Sequence, residues 1–147
     1  RALRLYLQSL EGEKPVPITP EGIAIGSFPV SPDGRRVVAQ AADLTHHLFP
    51  LEGGEAEPIP GLGPEDRPIR FSAHGRSLYG FRRGELPCHL FRLDLETSEK
   101  SPLRKLMPAD PAGVVEIISV HLTPDTSSYA YSYHRILSDL FLVEGLK

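Results

Sequence analysis

The sequence predicts an all-β fold of short antiparallel strands, and three observations predict it. One turn motif recurs three times. One strand motif recurs four times. Apolar residues flanking the turns alternate with polar ones, the period of a half-buried strand. The 147 residues include 15 Pro and 13 Gly, which without a collagen period fits many short strands joined by tight turns. No segment sustains a 3.6-residue apolar period, so helices are expected to be rare.

The turn motif is Ser31-Pro32-Asp33-Gly34-Arg35-Arg36-Val37-Val38-Ala39. It recurs as Ser72-Ala73-His74-Gly75-Arg76-Ser77-Leu78-Tyr79-Gly80 and, less closely, as Thr123-Pro124-Asp125-Thr126-Ser127-Ser128-Tyr129-Ala130-Tyr131. Pro32 presets φ at the first central position of a turn, and Asp33 and Gly34 suit the positions after it. Phe28 and Val30, Ile69 and Phe71, and Val120 and Leu122 precede the three turns at i, i+2 spacing, while Val37, Leu78 and Tyr129 follow them. Each motif therefore reads as a hairpin joining a strand A to a strand B.

The strand motif, polar-Leu-aromatic-X, occurs as Arg4-Leu5-Tyr6-Leu7, His47-Leu48-Phe49-Pro50, His89-Leu90-Phe91-Arg92 and Asp139-Leu140-Phe141-Leu142. An acidic residue and Gly follow three of these copies, at Glu11-Gly12, Glu52-Gly53 and Glu144-Gly145. This is a strand C ending in a turn. A strand D follows at Val16-Pro17-Ile18, Pro58-Ile59-Pro60 and Leu103-Arg104-Lys105-Leu106. Proline is tolerated there because an edge strand need not donate every ladder bond. Loops at 61–68 and 107–113 separate the groups.

The motif starts are 41 and 51 residues apart, close to the repeat length of four-stranded propeller blades. The expected architecture is thus a partial β-propeller, two complete four-stranded antiparallel blades flanked by two partial ones. Residues 1–22 form a partial blade C–D, 23–64 and 65–112 the complete blades, and 113–147 a partial blade A–B–C. Propellers close with about 4–8 blades, so this set closes no ring alone and leaves apolar faces open. The expectation is a fragment of a larger propeller that forms homo-oligomers through its open blade ends. The N-terminus starts directly in alternation and has no signal-peptide shape, as in the middle of a longer protein.

Composition narrows the function classes. The net charge of −3, from 16 basic and 19 acidic residues, lacks the basic surplus of a nucleic-acid footprint. Cys88 is the lone cysteine, so a disulfide within the chain and a four-cysteine zinc site are excluded. No run approaches the ~18 apolar residues of a membrane helix, and no membrane contact is expected from this segment. There is no Gly-X-Ser-X-Gly elbow, and no catalytic residue is assigned. No cofactor site is assigned either.

The six histidines give no metal site by spacing. His46-His47 are adjacent, as are Cys88-His89, so each pair points to opposite faces of a strand. His74, His121 and His134 fall at different blade positions, and zinc needs three or four convergent ligands. Arg70 and His121 occupy equivalent places one residue before the apolar end of strand A. They are the candidates to face a central channel or ligand, set against a structural ion pair or hydrogen bond. Tyr129, Tyr131 and Tyr133 alternate on one strand face, either as a stacking platform or as packing between blades. Arg82-Arg83-Gly84 reads as a solvated hairpin tip, and Cys88 as a small buried hydrophobe.

The turn motif resembles the WD40-like repeats of the TolB-type propeller family, which read roughly aromatic-Ser-Pro-Asp-Gly-Lys/Arg followed by a β-branched pair and alanine. Ser31 to Ala39 match closely; Val30, Ala73-His74 and Thr126 depart from the pattern. The stretch from Tyr129 to Lys147 looks like the extreme C-terminus of bacterial serine/threonine protein kinases that carry a propeller after the kinase domain. The kinase glycine-rich loop, His-Arg-Asp and Asp-Phe-Gly are absent, so the resemblance brings no kinase activity to this chain. It implies a non-catalytic interaction or sensor domain with protein or peptide partners, on either side of a bacterial membrane. The alternatives are a propeller that binds a small ligand or metal, motivated by Arg70, His121 and the other histidines, and the gating propeller of a peptidase. Lys147 looks like a natural end, which argues against a hydrolase domain following it.

Overall fold

The computed structural model describes residues 2–139, and every regular element among them is a β-strand. Four antiparallel sheets form in chain order. The first pairs β1 (Tyr6–Leu7) with β2 (Val16–Pro17). The second runs β3 (Arg36–Gln40), β4 (His46–Pro50), β5 (Glu57–Pro58). The third runs β6 (Asp66–Phe71), β7 (Ser77–Arg82), β8 (Cys88–Asp94), β9 (Lys100–Leu106). The fourth pairs β10 (Val114–Leu122) with β11 (Tyr129–Arg135). Sequence neighbours are spatial neighbours throughout, as expected when short hairpins make each connection.

The three turn motifs fold alike. Ser31, Ser72 and Thr123 each donate a backbone N–H to the carbonyl five residues on, at 2.8–3.0 Å. The hydroxyl of each accepts the N–H of that same residue, Arg36, Ser77 or Ser128. The third residue after each is left-handed, at φ 69° for Gly34, 69° for Gly75 and 58° for Thr126. Thr126 thus holds a conformation where its branched Cβ is strained. The Thr123 hydroxyl and the Ser127 backbone N–H donate to the Asp125 carboxylate, drawing its pKa down to about 2. Thr126→Gly is expected to raise stability by about 0.5–1 kcal/mol, relief of strain outweighing the added chain entropy. A denaturant midpoint that falls would mean the threonine side chain contributes more than its backbone costs.

Burial follows strand alternation, and the core is made between sheets. Val37, Ala39 and Phe49 face the first sheet and pack with Ile23, Leu5 and Ile18. Val38, Leu48 and Ile59 face the third sheet and pack with Phe71, Leu78, Phe91 and Leu93. On the far side of the third sheet, Phe81, Cys88, Leu90 and Leu106 meet Ile117 and Val120 of the fourth. The second and third sheets are therefore apolar on both faces, and each consecutive pair of sheets shares an apolar cluster. Gly80 admits the Phe91 ring to this layer; a Cβ there would lie 2.5 Å from the ring and 2.8 Å from the Arg67 carbonyl.

The strand boundaries differ from expectation in several places, and β5 is Glu57–Pro58 rather than Pro58 to Pro60. The second sheet has three strands rather than four. Its inner segment, residues 24–31, is bonded to β3 only at the ends, through Ala24 N–H to the Gln40 carbonyl, Val38 N–H to the Pro29 carbonyl, and the Val30–Val37 bridge. Pro29 has no N–H to donate, and Ile25-Gly26 form a bend between those ends. The third sheet begins at Asp66, within the expected 61–68 loop, because Arg67 and Pro68 continue the ladder opposite Phe81 and Gly80. Strand D of that sheet is longer than Leu103 to Leu106 and starts at Lys100. The expected fourth strand C, with its Glu144-Gly145 turn, falls on 140–147, outside the described residues apart from Asp139.

Candidate functional site

The inner segments of three consecutive sheets, residues 24–31, β6 and β10, lie side by side. Arg70 is half-buried on β6, and its Nη1 donates to the Leu122 carbonyl of β10 at 3.4 Å. It also borders a groove of ≈ 320 Å³ with Val30 and Phe71. His121 is exposed on β10, opposite Ala130. The fold thus brings Arg70 to the residue beside His121, but no hydrogen bond joins the two. The bond that Arg70 makes is a tie between sheets.

A second groove, ≈ 350 Å³, opens at the other end of these inner segments, where they begin. Ile25, Arg67, Arg83, Glu116 and Ile118 line it, so three successive sheets contribute. Arg67 Nη1 donates to the Pro64 and Asp66 carbonyls at 2.8 and 2.9 Å, which fixes the guanidinium in place. Arg83 Nε donates to Glu116 Oε2 at 3.2 Å, bridging the third sheet to the fourth. The backbone of Arg83 donates to Glu65. Arg83 was expected at a solvated hairpin tip; it is exposed there, and it also makes an ion pair between sheets.

Behind Arg67 lies a polar layer between the second and third sheets. Asp66, 3% exposed, accepts the Gly63 N–H at 2.6 Å and pairs with the Lys100 ammonium. Lys100 also sits 4.7 Å above the Phe91 ring, a favourable cation–π position. Gln40 Nε2 donates to the Leu44 and Pro64 carbonyls. His46 is 2% exposed, and neither ring nitrogen has a hydrogen-bond partner among the described residues. Burial, seconded by the Arg67 cation, pushes its pKa down to about 4, against the opposing pull of Asp66. His46 is thus a neutral base at pH 7. His47 points the other way on β4, as adjacent strand positions require.

The remaining candidates resolve as follows. Tyr129 and Tyr131 pack on the layer between the third and fourth sheets, with successive rings of the Tyr129, Tyr131, Tyr133 stripe 6.1 Å apart. Arg104 of β9 lies 5.4 Å from the Tyr129 ring. Tyr129 and Tyr131 are packing between sheets, and Tyr133 stands exposed beyond them. Cys88 is fully buried, and burial, with Glu85 nearby, pushes its thiol up to about 11; the unreactive protonated form dominates at neutral pH. Among the described residues, no three His, Cys, Asp or Glu side chains converge as metal ligands, and no helix is long and apolar enough to cross a membrane.

Sequence reasoning missed Arg67, Glu116 and the Asp66–Lys100 pair, and weighed His46 only as a metal ligand. Asp66 and Arg67 fall in a segment read as a loop, and the one signal at Glu116 is a charge inside an apolar stretch. No protein-family model matches the chain, and no curated protein matches it in sequence.

Proposed function

We propose that the chain is a non-catalytic β-propeller segment that serves as an interaction or sensor module for protein or peptide partners. The observation that supports it best is the repeat itself. Three like-folded turns open consecutive antiparallel sheets, and those sheets pack face to face with their inner segments side by side. Blade arrays pack in this manner. The resemblance of the chain's end to propeller-bearing bacterial serine/threonine kinases supports a place in the C-terminal part of such a protein.

The module is proposed to self-associate through its terminal sheets. Tyr6 and Val16 stand exposed on the first, and Val115 and Ile136 at the fourth. Interior sheets bury both faces, so the terminal ones have apolar surface to cover. Light scattering of the pure chain over a concentration series tests this. A stable dimer is the expected result. A monomer at every concentration would remove end-to-end pairing from the proposal. Turnover of a substrate by the pure chain, abolished by a point substitution, would remove the non-catalytic reading as a whole.

A further inference from the structure

We propose that the groove of Ile25, Arg67, Arg83, Glu116 and Ile118 binds an acidic peptide segment. A carboxylate sits against Arg67 and Arg83, and a neighbouring aliphatic side chain rests on Ile25 and Ile118. This rests on the reading of the chain as an interaction module and names the chemistry of its partner.

Three features of the groove carry the inference. The first is charge: two guanidiniums face one carboxylate, so the groove is net positive in a chain that is net negative. A guanidinium presents planar paired donors that match a carboxylate. Arg67 is already held by two backbone carbonyls through one nitrogen, so its position needs little further ordering when a ligand arrives.

The second is the apolar surface beside that charge. Ile25 is 83% exposed and Ile118 57% exposed, large values for residues lining a concave surface. Both lie within the groove that holds the arginines. A peptide with an acidic residue next to Leu or Ile satisfies both at once, whereas a free inorganic anion leaves the aliphatic groups wet.

The third is unmet polarity. The Arg83–Glu116 pair has side chains 53% and 27% exposed, and exposed pairs of this kind are worth little. Glu116 therefore acts as a weak internal competitor that an incoming carboxylate can displace. Arg67, Ile25 and Ser27 also line a small recess at the buried His46.

The test uses the full chain and fluorescence anisotropy with a fluorescein-labelled Asp-Leu-Glu-Leu-Asp peptide. Its Asn/Gln counterpart and a Lys counterpart are the controls. The acidic peptide is expected to bind, with the amide counterpart at least about tenfold weaker, the loss of a charge-assisted bond. Arg83→Ala should weaken binding about tenfold. Glu116→Gln should tighten it about two- to fivefold by removing the competitor, a gain that mere structural damage does not produce. Ile118→Ser should weaken the acidic peptide with little effect on the salt dependence. Melting curves establish that each variant folds.

Equal binding of the acidic and amide peptides overturns the proposal. So does indifference to both Arg83→Ala and Glu116→Gln, or preference for the Lys peptide. Absence of binding by all three peptides also overturns it. Chains that still dimerise in light scattering would then leave the wider interaction reading standing, so the two can fail separately.

Discussion

Leu78→Ala is expected to lower the unfolding free energy by about 3–4 kcal/mol, the cost of a methyl-lined cavity in a layer with little freedom to collapse. Leu78 is 0% exposed and lies between Val38, Leu48 and Ile59 of one sheet and Phe71, Phe91 and Leu93 of the next. Its side chain is therefore shared by two sheets, and truncation loosens the joint between them. For a chain of this size the loss corresponds to a fall of roughly 10 °C in Tm. Leu10→Ala is the control: Leu10 is fully exposed, and the change should fall within about 0.5 kcal/mol of zero. Urea unfolding of both variants decides the matter. A loss below about 1 kcal/mol for Leu78→Ala would mean that the second and third sheets do not share a packed layer.

Mild acid is expected to destabilise the protein through His46. In the unfolded chain its pKa returns to the ordinary value near 6.5, whereas in the folded state it is about 4. Between those values the unfolded state binds more protons than the folded one, so stability falls as pH falls. The contribution is fully present above about pH 6.5 and is lost progressively down to about pH 4. Over that window it amounts to about 3 kcal/mol. The charged imidazole would face Arg67 and Lys100, with Asp66 the opposing anion.

His46→Leu should remove this slope. The carboxylates whose pKa values are lowered in the folded state, Asp33, Asp43, Asp94, Asp110 and Asp125, titrate below the same window. They should leave the variant nearly flat between pH 7 and 5. Urea midpoints at half-unit pH steps measure both curves. Equal slopes for the two proteins would place the imidazole in contact with water and undo its assignment as a buried neutral base.

Much of the secondary structure was legible because its causes are local. The polar-Leu-aromatic pattern marks strand C: Leu48 and Phe49, and Leu90 and Phe91, are buried on opposite faces of β4 and β8. The Ser/Thr-led turn was legible even where it departs from its own pattern. Ser72 makes the same bonds without Pro or Asp after it, and Thr126 takes the left-handed position in place of glycine. The inner strand of the second sheet was misjudged because Phe28 and Val30 alternate correctly, while Pro29 and the Ile25-Gly26 bend deny the segment a continuous ladder.

The site was less legible for a different reason. Arg70 and His121 were chosen by equivalent positions in a repeat, which does place them on neighbouring inner strands. Repeat position does not say what a guanidinium finally touches, and Arg70 spends one donor on the Leu122 carbonyl. Arg67 on β6, Arg83 in the turn after β7 and Glu116 on β10 come from two different sheets, and each looks like an ordinary solvated charge in its own segment. Ile25 and Ile118 carry no mark that separates them from core residues.

The sequence by itself determined most of the strands, where the chain turns, and which side of those strands is apolar. Those properties follow from a period of two and from turn chemistry acting over a few residues. Only the tertiary structure decided that Arg67 and Glu116 share a groove, that His46 is sealed from water, and that Tyr129 and Tyr131 are packing. Each depends on which sheet face meets which, and that is chosen by complementarity between surfaces far apart in the chain, where local propensity has no influence.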